Sequence, residues 1–258
     1  MKQITSGTFL DLSKRFLAYV QSFDTTDDYV KKHLELKVRH TFCVISNIQH
    51  IANKTGLITH EYHLARIIAL LHDIGRFKQF AVYHTYNDEI SVNHADLGIE
   101  VLSEEGFLKQ FEPPVALLIK DTVLYHNIPR ITSEVTGKAL FFTRMLRDAD
   151  KIDIWKLMTE MDIIYTIDQH EITDQYKISD GIYQCYLEKR VVTLDHATSM
   201  NDFRMLRLSW IFDMNFAATF SLLINKQYAK KILAKIPWSE RLEEIERIIH
   251  GYMQQQVA

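Results

Sequence analysis

Glycine and proline are scarce in this chain, at 8 and 4 among 258 residues. That argues against collagen-like and low-complexity classes and against sheets with many tight turns; it favours long helices. Cysteine is scarcer still. Cys43 and Cys185 are the whole supply and form no CxxC pair, which disfavours a disulfide scaffold and a thiolate zinc site. A reduced, cytoplasmic chain is the expectation. Long apolar runs are missing too. The strongest, Ser209 to Ile224, is too short to span a bilayer and carries Asp213 and Asn215. The start, "MKQITSGTFLDLSKRF", lacks the apolar core of a signal peptide, so no membrane partner is expected. Nor is there a strong charge of one sign. A net charge of −3, without an aromatic–basic surface pattern, gives no general attraction to nucleic acid. An anionic ligand would need local positive charge from a metal or a few Arg and Lys.

What is present is an ordinary globular composition, 47% apolar and 24% charged, in a chain long enough to bury a sizeable core. One domain over 1–258 is expected, and its apolar spacing is helical. Leu36, Val44, Ile48 and Ile51 share one face; Leu64, Ile67, Ile68 and Leu71 share another; Val115, Ile119 and Val123 a third. Leu146, Ile154 and Leu157 fit a further face, as do Leu206, Trp210 and Phe220. Helix breaks are expected at Thr55-Gly56, Gly75, Gly106, Pro113-Pro114, Asn127 to Pro129, Thr136-Gly137 and Pro237. The fold class is therefore all-α. Lys226, Lys230, Lys231 and Lys235 read as a solvated helix face, and "EEIERIIHGYMQQQVA" as an amphipathic helix with a frayed end.

Polar residues interrupt these apolar faces in a consistent way. "LLHDIGRF" sets His72 and Asp73 after an apolar run, on a helix expected to end at Gly75. His40 lies between Leu36 and Val44 on their face, and His126 continues Val115, Ile119 and Val123. Asp150 lies between Leu146 and Ile154, and His94 stands at a helix start after Asn93. Any one of these alone reads as a hydrogen-bonded core residue. Together they would bury two carboxylates among four imidazoles, a costly arrangement unless a cation neutralises the acids and takes the imidazole lone pairs. Metal binding is the favoured reading.

The ordered set His40, His72-Asp73, Asp150 resembles the signature of the HD-domain superfamily of metal-dependent phosphohydrolases, and His94 and His126 match the two further histidines of its dinuclear members. "HDIGR" and "RDADKID" are close to that family's wording. The resemblance covers about 31–157 as a helical-bundle core and leaves about 158–258 as a helical extension. It implies that His40, His72, Asp73 and Asp150 bind a first metal, and that Asp73 bridges to a second held by His94 and His126. Histidine-rich ligation points to one or two divalent transition metal ions, among Mn, Fe, Ni, Co and Zn. The implied reaction is hydrolysis of a small phosphate ester or nucleotide by a metal-activated water. A di-iron HD-type oxygenase shares the same ligands and is the alternative. A catalytically silent nucleotide-binding regulatory module is a third reading, against which the full ligand set argues. The "GYP" element of one cyclic-dinucleotide subgroup is missing, and Arg76 stands where that subgroup has Lys.

Around the ligands, Arg76 and Lys151 are candidates to act with Asp73 in catalysis, and Arg76, His84, Asp88 and Arg130 to bind substrate. Arg76 is expected to follow a helix end and turn back onto a phosphate. Arg204, Arg207 and Asp213 read as internal ion-pairing residues. His33, His50, His60, His63, His170, His196 and His250 read as structural or surface residues.

Overall fold

The computed structural model describes residues 3–23, 25–160 and 178–257. Among them there is no strand, so the fold is all-α, as expected. The chain divides into two compact units, Met1–Asp150 and Lys151–Ala258.

The first unit holds α1 (Ser6–Gln21), α2 (Asp28–Lys54), α3 (Thr59–Leu71), α4 (Ile74–Tyr83), α5 (His94–Glu104), α6 (Pro113–Tyr125) and most of α7 (Gly137–Glu160). Short polar side chains start several of them. Thr5 makes a reciprocal capping box with Thr8, Asp27 accepts from the first-turn N–H groups of α2, and Asn93 does so for α5. Pro113 opens α6, where its missing N–H costs nothing. The expected apolar faces meet inside. Leu12 and Phe16 of α1, Val44, Ile48 and Ile51 of α2, and Ile67, Ile68 and Leu71 of α3 are fully buried, with Phe16 edge-on to Phe77 of α4 at 5.4 Å. α3 packs between α1 and α2, while α4 lies against both α2 and α5.

The expected helix end at Gly75 is not there. α3 stops at Leu71, Asp73 occupies the cap position with φ −107° and ψ 20°, and Gly75 lies in the first turn of α4. The glycine serves close approach rather than chain termination. A Cβ at Gly75 would meet the carbonyl oxygen of His94 at 2.2 Å and the nitrogen of Gly98 at 2.6 Å. α4 and α5 thus cross with their backbones nearly touching, a contact only glycine permits.

The second unit holds the end of α7, then α8 (Asp180–Leu187), α9 (Met200–Leu208), α10 (Ala217–Lys226), α11 (Tyr228–Leu233) and α12 (Glu240–Gln255), with 3-10 turns at Leu194–His196 and Ser209–Asp213. Ser179, Ser199 and Ser239 cap α8, α9 and α12. Trp155, Tyr186, Leu208, Ile211, Ile232 and Ile245 are fully buried in this unit. Three expectations change here. In the latter part of α7 the buried apolar residues are Ile152, Trp155 and Met158, while Ile154 and Leu157 are only partly covered. Leu206, Trp210 and Phe220 do not share one helix: the 3-10 turn and an extended Met214 separate α9 from α10. Ser209 makes the break. Its hydroxyl donates to Leu206 O, a local bond that competes with helix continuation, and accepts from the distant Val192 N–H. Lys226, Lys230 and Lys231 are solvent-exposed and Lys235 is half-buried, but the four do not share one helix face: Lys226 ends α10, Lys230 and Lys231 lie in α11 and Lys235 follows it. His170 lies outside the described residues. Among the described residues no helix is long and apolar enough to cross a membrane.

Candidate metal centre

In the first unit several helix ends deliver ligand-type side chains to one place. His40 comes from within α2, His72 ends α3, and Asp73 precedes α4. His94 is the first residue of α5, His126 follows the last of α6, and Asp150 lies on α7. His40 Nε2 is 3.1 Å from Asp150 Oδ1. Asp73 faces both ways. Its Oδ2 lies 3.6 Å from His40 Nε2 and 3.5 Å from His72 Nε2, while its Oδ1 lies 3.4 Å from His94 Nε2 and 3.7 Å from His126 Nε2. Adjacent residues on one helix diverge by about 100°. The break between α3 and α4 frees His72 and Asp73 from that constraint, so both turn to the same point. Two sets of donors suit a cation, His40 with His72 and Asp150, and His72 with Asp73 and His126; within each set the ligand atoms lie within 4.8 Å of one another.

The hydrogen bonds fix which imidazole nitrogen faces the cluster. His72 Nδ1 lies 2.8 Å from Ala69 O and His126 Nδ1 2.6 Å from Val123 O. His94 Nδ1 lies 2.6 Å from the Asp88 carboxylate. Those partners only accept, so each ring donates its proton outward and turns a bare Nε2 inward. His72 Nε2 is buried and makes no hydrogen bond. His94 Nε2 and His126 Nε2 face each other at 3.2 Å. A second proton on these rings would be the only internal relief, and burial opposes it. Burial lowers His72 to about 4; burial, then the Arg76 charge, lowers His94 to about 4. Lone pairs and carboxylate oxygens thus converge with few donors among them. A divalent cation satisfies such a set, and the residues present fit one.

The donor that is there is Lys37, whose Nζ lies 2.6 Å from Asp73 Oδ2. Burial opposes ionisation of Asp73, but Lys37, then His72, His126 and His94, hold its carboxyl well below the usual range. Burial opposes ionisation of Asp150 too, but its hydrogen bond with His40 and the charges of His40 and His72 together hold it low. Sequence reasoning missed Lys37. The signal was its place one turn before His40 on α2, on the same side of the helix. Arg147 was missed as well. Its guanidinium donates to the carbonyls of His126 and Ile128, at 3.0 and 2.5 Å, and so pins the chain that leaves α6.

The other expected site residues are scattered among several roles. Arg76 lies within α4, and its NH1 donates to Gln79 Oε1, Tyr86 O and Asp88 Oδ1 at 2.8, 2.6 and 2.6 Å. The expected helix end before Arg76 is therefore corrected: NH1 is tied into the segment between α4 and α5, while Nε lies 3.8 Å from Asp73 Oδ1. Asp88 joins Arg76 to His94 rather than facing outward alone. His84 is exposed and ends α4 in the left-handed region, with φ 55°. Arg130 is exposed and makes no hydrogen bond or ion pair among the described residues. Lys151 is buried in the second unit, where its ammonium pairs with Asp213. That pairing agrees with the internal role expected of Asp213.

The family model of the HD domain matches residues 38–166, half of the chain and the stretch that contains every ligand candidate from His40 to Asp150. Comparison with curated proteins and with solved structures finds no match.

Proposed function

The chain belongs to the HD domain family, a superfamily of metal-dependent hydrolases, and from that premise we propose that it is a phosphohydrolase acting on a small phosphate ester or nucleotide. The observation that carries the reading is the convergence of three inward Nε2 lone pairs on the two oxygens of Asp73, with His40 and Asp150 completing the ring of donors. His40, His72, Asp73 and Asp150 would hold a first divalent transition metal, and Asp73, His94 and His126 a second. Bound there, such ions polarise a phosphoryl oxygen and lower the pKa of water to near neutral.

The chain's own groups supply the rest. Asp73, flanked by both sets of imidazoles, ties the two positions together. Lys37 sits against Asp73 with its side chain about one-fifth exposed, so its ammonium can meet solvent or an anion. We assign it the substrate phosphate, since Arg76 NH1 is committed to the loop and Lys151 to Asp213. The ring of Tyr86 lies under Lys37, 5.4 Å from Nζ, and limits where that ammonium can go.

Elemental analysis of purified protein, followed by a phosphate-release screen with each of Mn, Fe, Ni, Co and Zn, tests the reading. We expect bound metal, phosphate release from a small ester or nucleotide, and its loss under chelation. Protein that binds no metal, or an iron form that consumes oxygen and releases no phosphate from any substrate, would overturn it.

A further inference from the structure

His72 and His126 orient their rings cheaply. Each stands just past a helix C-terminus, where the carbonyl three residues back is free to accept from Nδ1. His94 has no such option. It is the first residue of α5, and a helix N-terminus presents N–H groups rather than carbonyls. Left to itself its ring could rotate or change tautomer and present Nε2–H to the cluster. An acceptor must come from elsewhere, and Asp88 supplies it, with Oδ2 at 2.6 Å from Nδ1.

Asp88 is itself held. Its Oδ1 accepts from Arg76 NH1 at 2.6 Å and from Gln79 Nε2 at 2.9 Å. Gln79 is fully buried, and its amide also donates to Val92 O at 2.8 Å, one residue before the cap of α5. Arg76 reaches Tyr86 O and so closes the loop that carries Asp88. The Asn127 amide stands 3.5 Å from Asp88 Oδ2 and 3.5 Å from His94 Nδ1. Two α4 side chains and the loop thus converge on one carboxylate, whose second oxygen is aimed at one imidazole.

We propose that Asp88 is a positioning residue for the second metal position: it fixes His94 as the Nδ1–H tautomer with Nε2 towards Asp73 and His126, and Arg76 and Gln79 serve to hold it there. The inference rests on the two-metal reading above. Outer carboxylates of this kind fix the ring and raise its basicity, and their loss costs roughly 10–100-fold in metal affinity.

The test uses the full chain, stripped and reloaded with Mn or Co, as wild type, Asp88→Ala and Asp88→Asn. Asp88→Asn keeps an oxygen for Arg76 and Gln79 but cannot serve His94 as well, so it preserves the fold if Asp88→Ala does not. Titration calorimetry reads the two metal affinities, and long-range proton–nitrogen NMR of the metal-free protein reads the His94 tautomer. Expected is an Nδ1–H ring in the wild type and a drop of about 10–100-fold in the weaker metal affinity for the variants, with the stronger affinity unchanged. A purely structural Asp88 would lower the melting temperature and leave the ratio of affinities alone, which would overturn the inference. So would an Nε2–H ring in the metal-free wild type. Failure of the premise looks different: the wild type itself would then show no second metal before any variant is made.

Discussion

The two units treat buried polar groups differently. In Lys151–Ala258, the buried side chains of Asp202, Ser199 and Ser209 satisfy backbone needs and one another. Asp202 accepts from Ser179 N–H and from both the N–H and hydroxyl of Thr198. Ser199 caps α9, and Ser209 bonds two backbone groups. In Met1–Asp150, buried imidazoles and carboxylates point their remaining acceptors at one another. The difference teaches how to separate structure from function in an interior. Buried polar groups whose partners are complete within the chain belong to the fold. Acceptors gathered around a common point with too few donors make sense when something cationic joins them.

The largest way to break that comparison is Asp73→Ala. Losing the carboxylate between the two imidazole sets should cut turnover by about a thousandfold or more, the scale of a removed electrostatic or acid–base component. Elemental analysis should show both metals weakened, whereas His94→Ala should lose mainly one. Equal metal loss in the two variants would count against Asp73 as the shared ligand.

The pH dependence of the chelated protein comes next. His72 and His94 sit near 4 when folded and near 6.5 when unfolded, so below 6.5 the unfolded chain binds protons the folded chain refuses. Stability is fully present above about 6.5 and falls as pH drops from 6.5 towards 4. Thermal melts across that range should show the decline. A flat profile would mean that the rings are not held neutral.

Gly75→Ala should follow. The added methyl collides with the His94 carbonyl, so α4 and α5 must part at a cost near the top of the overpacking range, about 3 kcal/mol. Because His94 begins α5, affinity for the second metal should fall with it. Denaturant melts and metal titration read the two effects; an unchanged titration would show that the close crossing does not set the ligand.

Asp202→Ala sharpens the contrast from the other side. It strands donors at Ser179 and Thr198, worth about 1–3 kcal/mol. It should lower the melting temperature and leave metal content at wild-type level. Loss of metal in this variant would blur the distinction between the units.

The sequence by itself determined a good deal. Few glycines and prolines, with apolar residues at helical spacing, determined an all-α chain, because helix faces are written locally at intervals of three and four. The same spacing marked His40, His72, His94, His126 and Asp150 as facing inward, because an imidazole or carboxylate on an apolar stripe is visible without knowing its neighbours. Other features only the tertiary structure decided. The chain breaks at Asp73 rather than at Gly75, and that glycine answers to a helix with which it shares no local periodicity. Asp88 and Arg76 were candidates to bind substrate; hydrogen bonds between α4, the loop and α5 tie both to His94. Lys37 drew no reading from the sequence; its role came only with Asp73, 36 positions away, at 2.6 Å. Periodicity states which way a side chain points. What it meets there depends on how separate helices cross, and that is settled by packing over the whole unit rather than by any short stretch of sequence.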